Sequence, residues 1–459
     1  MVDIPSPVGG SKFRPYIKAI VEAERAPIRQ IEMRKSKDAD KLKLLQEFTG
    51  KVRKIGDQMK ELDNFRKFRE LKADFGKNDD LIGLEIDKNL AEPGEYQLEV
   101  VQLAGRHSMM SNGFSSPDDE VGVGFFSYET ADGQTESVYV NPGQNTLTGL
   151  SQLINNEKHL NLQAMVVNDG TGNDDAWRLI VTGKKTGMGS DLKYPEFYFV
   201  DGDKQFSMDS ERAAQSAIVK LNGFEILCDK NKVSDLIPGV VLDLKQAKEG
   251  YEFDLSIKED LAKISGKAKG LVDSLNTVLE FINKQNQLDE RTDTTRTLGG
   301  DGTLRTVESQ LRELVMSAFH VDPDDETALM RASDLGVTFE RTGILSFNQD
   351  KFQKKLAENF DQVSEFFTSE RGFAAKLRFI TNGLVGVTGG ILVERERGFR
   401  EKTKQLDEQI VRKEQQISRK EEALKRQFAS LESYINSMQG QQQFVASSMA
   451  SMPQGAPAQ

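Results

Sequence analysis

The residues Gly299-Gly300-Asp301-Gly302-Thr303 have the composition of a loop that cradles nucleotide phosphates. In that chemistry the loop leaves an apolar strand, and its backbone N–H groups and acidic side chain meet the phosphates at the strand end. The preceding residues, "NQLDERTDTTRT" at 286–297, are almost wholly polar, so no strand feeds the loop. Leu304, Val307, Leu311, Leu314, Val315 and Phe319 follow as a helical stripe. Asp301 or Thr303 therefore reads as a helix N-cap, with the glycines permitting the turn into it.

Other groups that could bind or react fare no better. "DGDKQFSMDSER" at 201–212 places acids at positions one, three and nine of a calcium loop, but Phe206 stands where glycine is required and Arg212 where the bidentate Glu belongs. "VDPDDET" at 321–327 is acidic and reads as the cap of a following helix. The three histidines, His107, His159 and His320, form no His-x-x-x-His pair. Cys228 is the single cysteine, in the apolar run "FEILCDK", and reads as buried and inert. One cysteine excludes an internal disulfide framework and any multi-cysteine metal site. No Ser/His/Asp or Cys/His constellation with a local motif is present, and Trp177 in "DAWRLIV" reads as a packed strand residue. The expectation is a non-enzyme without cofactor or metal.

A chain of 459 residues allows roughly three domains. Its 37% hydrophobic and 29% charged residues suit a folded chain with much exposed surface, and its net charge of −11 offers no global field for nucleic acid or anionic lipid. The most apolar window, "GLVGVTGGILV" at 383–393, is far short of the ~20 residues of a membrane span. The N-terminal stretch lacks an apolar h-region, so no cleavable secretory signal is expected, and composition alone points to the cytoplasm.

The two ends are helical. Phe13, Ile17, Ile20, Val21, Ile28 and Ile31 form one apolar stripe, interrupted by Glu24, with Pro27 marking a kink or a fresh first turn. Leu42, Leu45, Phe48, Val52, Ile55, Met59 and Leu62 continue it at coiled-coil-like spacing. At the other end Ile410, Ile417, Leu424, Leu431 and Met438 recur every seven residues, while Lys413, Lys420 and Gln427 leave the companion positions polar. Such a half-apolar seam suits long helices packed in an assembly. The last residues, "MPQGAPAQ", read as disordered.

From about residue 76 to 260 the pattern changes to strands. "EYQLEVVQLA" begins by alternating Tyr96, Leu98 and Val100 against Gln97, Glu99 and Gln102. "YEFDLSIKED" sets Tyr251, Phe253, Leu255 and Ile257 against Glu252, Asp254, Ser256 and Lys258. Pro93-Gly94, Asp132-Gly133, Asn222-Gly223 and Pro238-Gly239 punctuate the strands as turns. Helical periodicity returns at Leu271, Leu275, Val278 and Ile282. The fold class is α+β: long terminal coiled-coil-like helices and a helical leg domain, with an inserted β-rich head.

Together these segments resemble the flagellar filament-capping family, hook-associated protein 2 or FliD, over almost the whole chain. "IVEAERAPIRQIEMRK" is similar to the family's first helix. "VYVNPGQNTLTGLSQLINNEKHLNLQAMVVNDG" with "WRLIVTGKKTG" resembles the hook-type Ile-Asn repeat, carried here by Thr146, Leu147, Ile154, Asn155, Ala164, Leu179, Thr182 and Gly187. "LNGFEILCDKNKVSDLIPGVVLDL" is similar to the segment holding Ile237-Pro238-Gly239-Val240. "LGGDGTLRTVESQLREL" and "LGVTFERTGILSFNQDKFQKKLAENFDQVSEFF" follow the family's order, so Gly300 and Asp301 resemble the turn before a leg helix. The chain departs from the family at "VGGSKFRPY", residues 8–16, and in having a cysteine.

The resemblance implies an N-terminal helix at 1–40, leg segments at 41–75 and 261–399, a head at 76–260 with the repeat near 137–190, and a C-terminal helix and tail at 400–459. It implies a non-enzymatic cap at the distal tip of the bacterial flagellar filament, retaining exported flagellin and promoting its polymerisation. Implied partners are further copies of the chain in a ring, flagellin, hook–filament junction proteins, the flagellar export apparatus and an export chaperone, with no nucleic acid and no membrane insertion. Location is then extracellular, by export without a cleaved signal. The partner-facing residues are expected on the terminal helices, at Phe13, Ile17, Val21, Ile28, Leu406, Ile410, Ile417, Leu424, Leu431 and Ile435. Competing readings are a hook–filament junction protein or flagellin-like axial protein, a coiled-coil adhesin, and a lipid or nucleotide kinase.

Overall fold

The computed structural model describes residues 13–129, 134–157, 160–190, 195–287, 293–322, 324–325 and 327–450, the side chains of 129, 449 and 450 excepted. The Asp132-Gly133 turn, His159 and the 452–459 tail lie outside the described residues. The described helices are α1 (Arg14–Glu24), α2 (Ala26–Met59), α3 (Phe65–Phe68), α4 (Leu147–Asn156), α5 (Leu261–Asn286), α6 (Gly302–Met316), α7 (Gln349–Glu358), α8 (Phe360–Thr368), α9 (Phe373–Val385) and α10 (Ile391–Ala450). The chain divides into two compact units, one of residues 1–68 with 264–459, the other of residues 69–263.

In the first unit Arg25 separates α1 from α2, and Pro27 falls in the first turn of α2, where its missing N–H costs nothing. The spacing of Leu45, Phe48, Val52, Ile55 and Met59 becomes a fully buried face of α2, and Leu271, Leu275, Val278 and Ile282 become that of α5. Phe48 and Phe281 join the two faces at 5.2 Å between ring centroids. Phe319, Phe366, Phe367 and Phe373 close the core as an aromatic cluster, with edge-on pairs such as Phe366–Phe367 at 4.9 Å.

Two expectations fail in this unit. Phe319 is not on α6: the helix ends at Met316, and Phe319 reaches the core from the strand Ala318–His320. Among the described residues, Asp322, Asp324 and Asp325 cap no helix either. Asp322 and Asp325 accept from the backbone N–H groups of Asp324 and Thr327, turns that lead into the strand Leu329–Arg331.

The second unit holds two β cores. In one, a five-stranded antiparallel sheet runs in the order Leu71–Asp74, Phe253–Glu259, Gly94–Gln102, Ala217–Leu221, Phe224–Cys228. It shares its core with a three-stranded sheet of Lys232–Ile237, Val240–Leu244 and Ile82–Ile86. Asn222 and Gly223 both have positive φ, 51° and 83°, which closes the 217–228 hairpin by a tight turn. In the other, a four-stranded sheet (Met208–Arg212, Arg106–Ser111, Trp177–Thr186, Leu162–Asn168) and a three-stranded one (Thr135–Val140, Val123–Glu129, Glu196–Val200) enclose α4 side chains.

Here too the alternating pattern misled at two residues. Glu99, expected on a solvated face, is only 2% exposed. Its carboxylate accepts from Lys220 Nζ at 2.9 Å and from the Gly250 N–H at 2.7 Å, and the Lys220 bond holds its pKa below the usual range. Tyr251 lies before the strand rather than in it, exposed, with the Lys248 ammonium 3.8 Å from its ring centroid.

Candidate assembly site on the terminal helices

Helices α1 and α2 run antiparallel to α10. Their cross-links are Phe13 stacked on Phe428 at 5.2 Å, Glu24 with Lys420 at 2.6 Å, Lys35 with Asp407, and Asp38 with Lys402 at 3.0 Å. Each step up one helix is matched by a step down the other, so the pairing keeps a single register over some 25 residues.

Of the expected partner-facing residues, Ile17, Ile28, Leu406 and Ile417 are buried, and Phe13, Val21, Ile410 and Leu424 are half-buried in this seam. Leu431 and Ile435 are not brought into it. They remain 43% and 37% exposed, because α10 continues to residue 450 beyond the Phe13–Phe428 contact. With Met438 and Val445 they carry the apolar spacing onward as an open stripe.

Phe428 was not anticipated. A step of three from Leu424 selects the exposed Gln427, whereas a step of four selects Phe428, the residue that meets Phe13. Lys420, a polar interruption in the sequence pattern, is a rung of the seam through Glu24.

The 299–303 loop is part of the same unit. Asp301 is the N-cap of α6, accepting from the Thr303 N–H at 2.8 Å, and Gly300 takes φ 72° to enter the turn. Arg395, at the start of α10, donates to both Asp301 oxygens, at 2.7 and 2.6 Å, and to Thr303 Oγ1 at 2.6 Å. The place where a phosphate would sit against the helix N-terminus is filled by the protein's own carboxylate. Arg395 holds the Asp301 carboxyl below the usual range, and Asp301 in turn raises the guanidinium's pKa. No spacing in the sequence announces this pair, whose members are 94 residues apart.

The remaining motif residues are structural anchors in the second unit. Thr146 caps α4, its Oγ1 accepting from the Gly149 N–H at 3.0 Å. Leu147 and Ile154 are fully buried under the sheet. Asn155 ties α4 to the strand Leu162–Asn168 through both polar groups of Ala164. After Pro238, Gly239 takes φ 73° against the Leu90–Ala91 backbone, and its carbonyl accepts from the Asp87 N–H at 2.8 Å.

In the 201–212 segment Asp203 accepts from the Glu120 N–H at 3.1 Å, and Lys204 pairs with Asp175 at 2.6 Å. Among the described residues no group of three or more His, Cys, Asp or Glu is placed to hold a metal ion, and no helix is long and apolar enough to cross a membrane. His107 is buried, with Nε2 2.7 Å from Glu211 Oε1. Burial pushes the Cys228 thiol up.

The fold and this seam define a class of protein: a structural chain of α+β architecture whose two ends meet as an antiparallel helix pair and whose middle forms a β-rich head. The models for the N-terminus and the C-terminus of flagellar hook-associated protein 2 match residues 10–107 and 214–440. The B-type flagellar hook-associated protein 2 of Pseudomonas aeruginosa is 24% identical over 99% of both chains. A crystal structure of the D1-D2-D3 domains of the flagellar cap protein FliD from Escherichia coli covers 78% of this chain and 100% of its own, at 20% identity and a TM-score of 0.58. That of FliD from Bdellovibrio bacteriovorus is 40% identical over 39% of this chain and 97% of its own, at a TM-score of 0.35.

The chain belongs to the flagellar hook-associated protein 2 family, the FliD filament caps. This is a family of structural flagellar proteins of the extracellular filament tip.

Proposed function

We propose that the chain caps the growing filament as a ring of several copies, retains exported flagellin and promotes its polymerisation beneath the ring. It makes and breaks no covalent bond. The terminal helices supply the contacts: Phe13, Ile17, Val21, Ile28, Leu406, Ile410, Ile417 and Leu424 hold the leg together, and the open stripe at Leu431 and Ile435 meets other chains. Flagellin, the hook–filament junction proteins, and the export apparatus with its chaperone are the partners, met in turn during export and assembly.

One observation carries the reading: among the described residues α10 continues past the Phe13–Phe428 contact, with Leu431, Ile435, Met438 and Val445 exposed at heptad-like spacing. A soluble chain gains nothing from such a stripe unless another chain covers it. The seam below, with Glu24 and Lys420 in its apolar row, is a weaker zipper than an unbroken one. Such a seam suits legs that disengage and re-engage as subunits are added.

The test is a deletion strain, with filaments imaged by electron microscopy and monomeric flagellin assayed in the medium. Bare hooks and shed flagellin, cured by the wild-type chain and not by one with Leu431, Ile435 and Met438 changed to Ser, are expected. Normal filaments in the deletion strain would overturn the reading. Lys413 and Gln427, expected in the seam, are exposed, so the change that tests it is Glu24 and Lys420 together to Leu, which should stiffen the legs and slow filament growth. Unimpaired growth would remove the argument from the seam.

A further inference from the structure

Over residues 32–41 helix α2 buries no apolar side chain. Met33 is 54% exposed, Ala39 is exposed, and the other eight residues are charged or polar. Ten residues are about 15 Å of helix. On either side the packing is apolar, with Ile28 and Ile31 on the N-terminal side and Leu42, Leu45 and Phe48 on the C-terminal side.

The gap is filled by charge pairs that reach two other elements. Lys35 meets Asp407, and Asp38, the most buried of the set, meets Lys402 at 3.0 Å, both on α10. Asp40 accepts from Arg296, which also donates to Ser36 at 2.9 Å and lies 3.4 Å from Asp293, on the turn Thr294–Arg296 and its N-cap. Lys37 is 3.9 Å from Asp293. Two α10 turns from Lys402, Arg395 grips the α6 cap at Asp301.

We propose that this belt is an electrostatic latch. It holds the distal helix pair, residues 13–31 with 410–428, on the leg core at low ionic strength, and it releases that pair at high ionic strength without unfolding the core. Ion pairs as exposed as Lys35–Asp407 are screened by salt, whereas the apolar packing of α2 at 45–59 against the core is not weakened by sodium chloride. A stretch without buried apolar contacts is also where cooperativity between two packed segments is lowest, so opening stops there. The latch is a property of the chain by itself, and its test does not involve flagellin.

The experiment is hydrogen exchange, read by mass spectrometry on the full chain at about 0.01 M and about 1 M sodium chloride, where the Debye length falls from about 30 to about 3 Å. Peptides within 14–31 and 410–428 should exchange roughly three- to tenfold faster at high salt, while those within 45–59 and 264–286 keep their rates. Lys402→Asp should produce the fast distal exchange already at low salt, and Asp38→Lys combined with Lys402→Asp should return it towards wild type. Distal exchange that is equal at both salts, or that rises together with the core, would overturn the latch. So would a double variant no slower than the single one.

Discussion

Asn155 holds both polar groups of a single residue, Ala164: its Nδ2 donates to the Ala164 carbonyl at 2.7 Å, and its Oδ1 accepts from the Ala164 N–H at 2.9 Å. The carboxamide thereby extends the strand Leu162–Asn168 sideways onto helix α4, with Ser151 donating to the same carbonyl at 3.0 Å.

Asn155→Asp replaces the donating amide by an oxygen facing a carbonyl, and Asn155→Ala leaves the Ala164 N–H without this acceptor. Each should destabilise the second unit by about 1–3 kcal/mol. Denaturant unfolding followed by the fluorescence of the single Trp177 reads this unit alone, and an unchanged midpoint would deny the bridge a stabilising role.

Gly239→Ala is expected to be costly. A Cβ there would lie 2.3 Å from the Ala91 nitrogen, on a backbone of φ 73°. Strain of about 1–3 kcal/mol from the positive φ adds to the clash. The variant should lower the same unfolding midpoint, whereas Gly223→Ala, also at positive φ but in open space, should lower it less.

Arg395→Ala removes three hydrogen bonds and leaves the Asp301 carboxylate half-buried beside α6. The leg should lose stability by several degrees in Tm, and Arg395→Lys should restore only part of it, since an ammonium cannot grip both oxygens as a planar fork does. Differential scanning calorimetry of the two variants against wild type tests the order.

Asp169 gives the head an acid dependence. The Thr171 hydroxyl first, and then Arg178, hold its carboxyl at about 2, below the ordinary value near 3.9. A depressed native pKa means that the unfolded chain binds the proton more readily. This contribution is therefore complete above about pH 4 and is lost as pH falls through about 2. Between those values the stability of wild type should fall more steeply with acid than that of Asp169→Asn. Parallel slopes would show that the bonds to Thr171 and Arg178 do not stabilise the folded head.

Periodicity made the helices legible, because steps of three and four name a face whatever the face meets. Hence Leu45 to Met59, Leu271 to Ile282 and Leu304 to Leu314 all lie on buried faces. It failed where burial was decided by a partner distant in sequence. Glu99 looks solvated by alternation, but Lys220 and Gly250, 121 and 151 residues away, make its burial possible. Phe319 keeps a helical phase after its helix has ended, because an aromatic cluster captures it from a strand. In the seam the apolar rungs could be read, whereas the ionic ones could not. Glu24 and Lys420 each look like an interruption until the two helices are set side by side.

That antiparallel seam joins residues at the extremes of the chain, with Glu24 and Lys420 separated by 396 positions and Asp38 and Lys402 by 364. As the polypeptide emerges N-terminus first, α1 and the first half of α2 cannot pair with α10 until residues 402–428 have appeared. Their closure is therefore a late event of very high contact order, slow by the measure of loop entropy. Residues 69–263, whose contacts form a compact unit of their own, can be complete long before it.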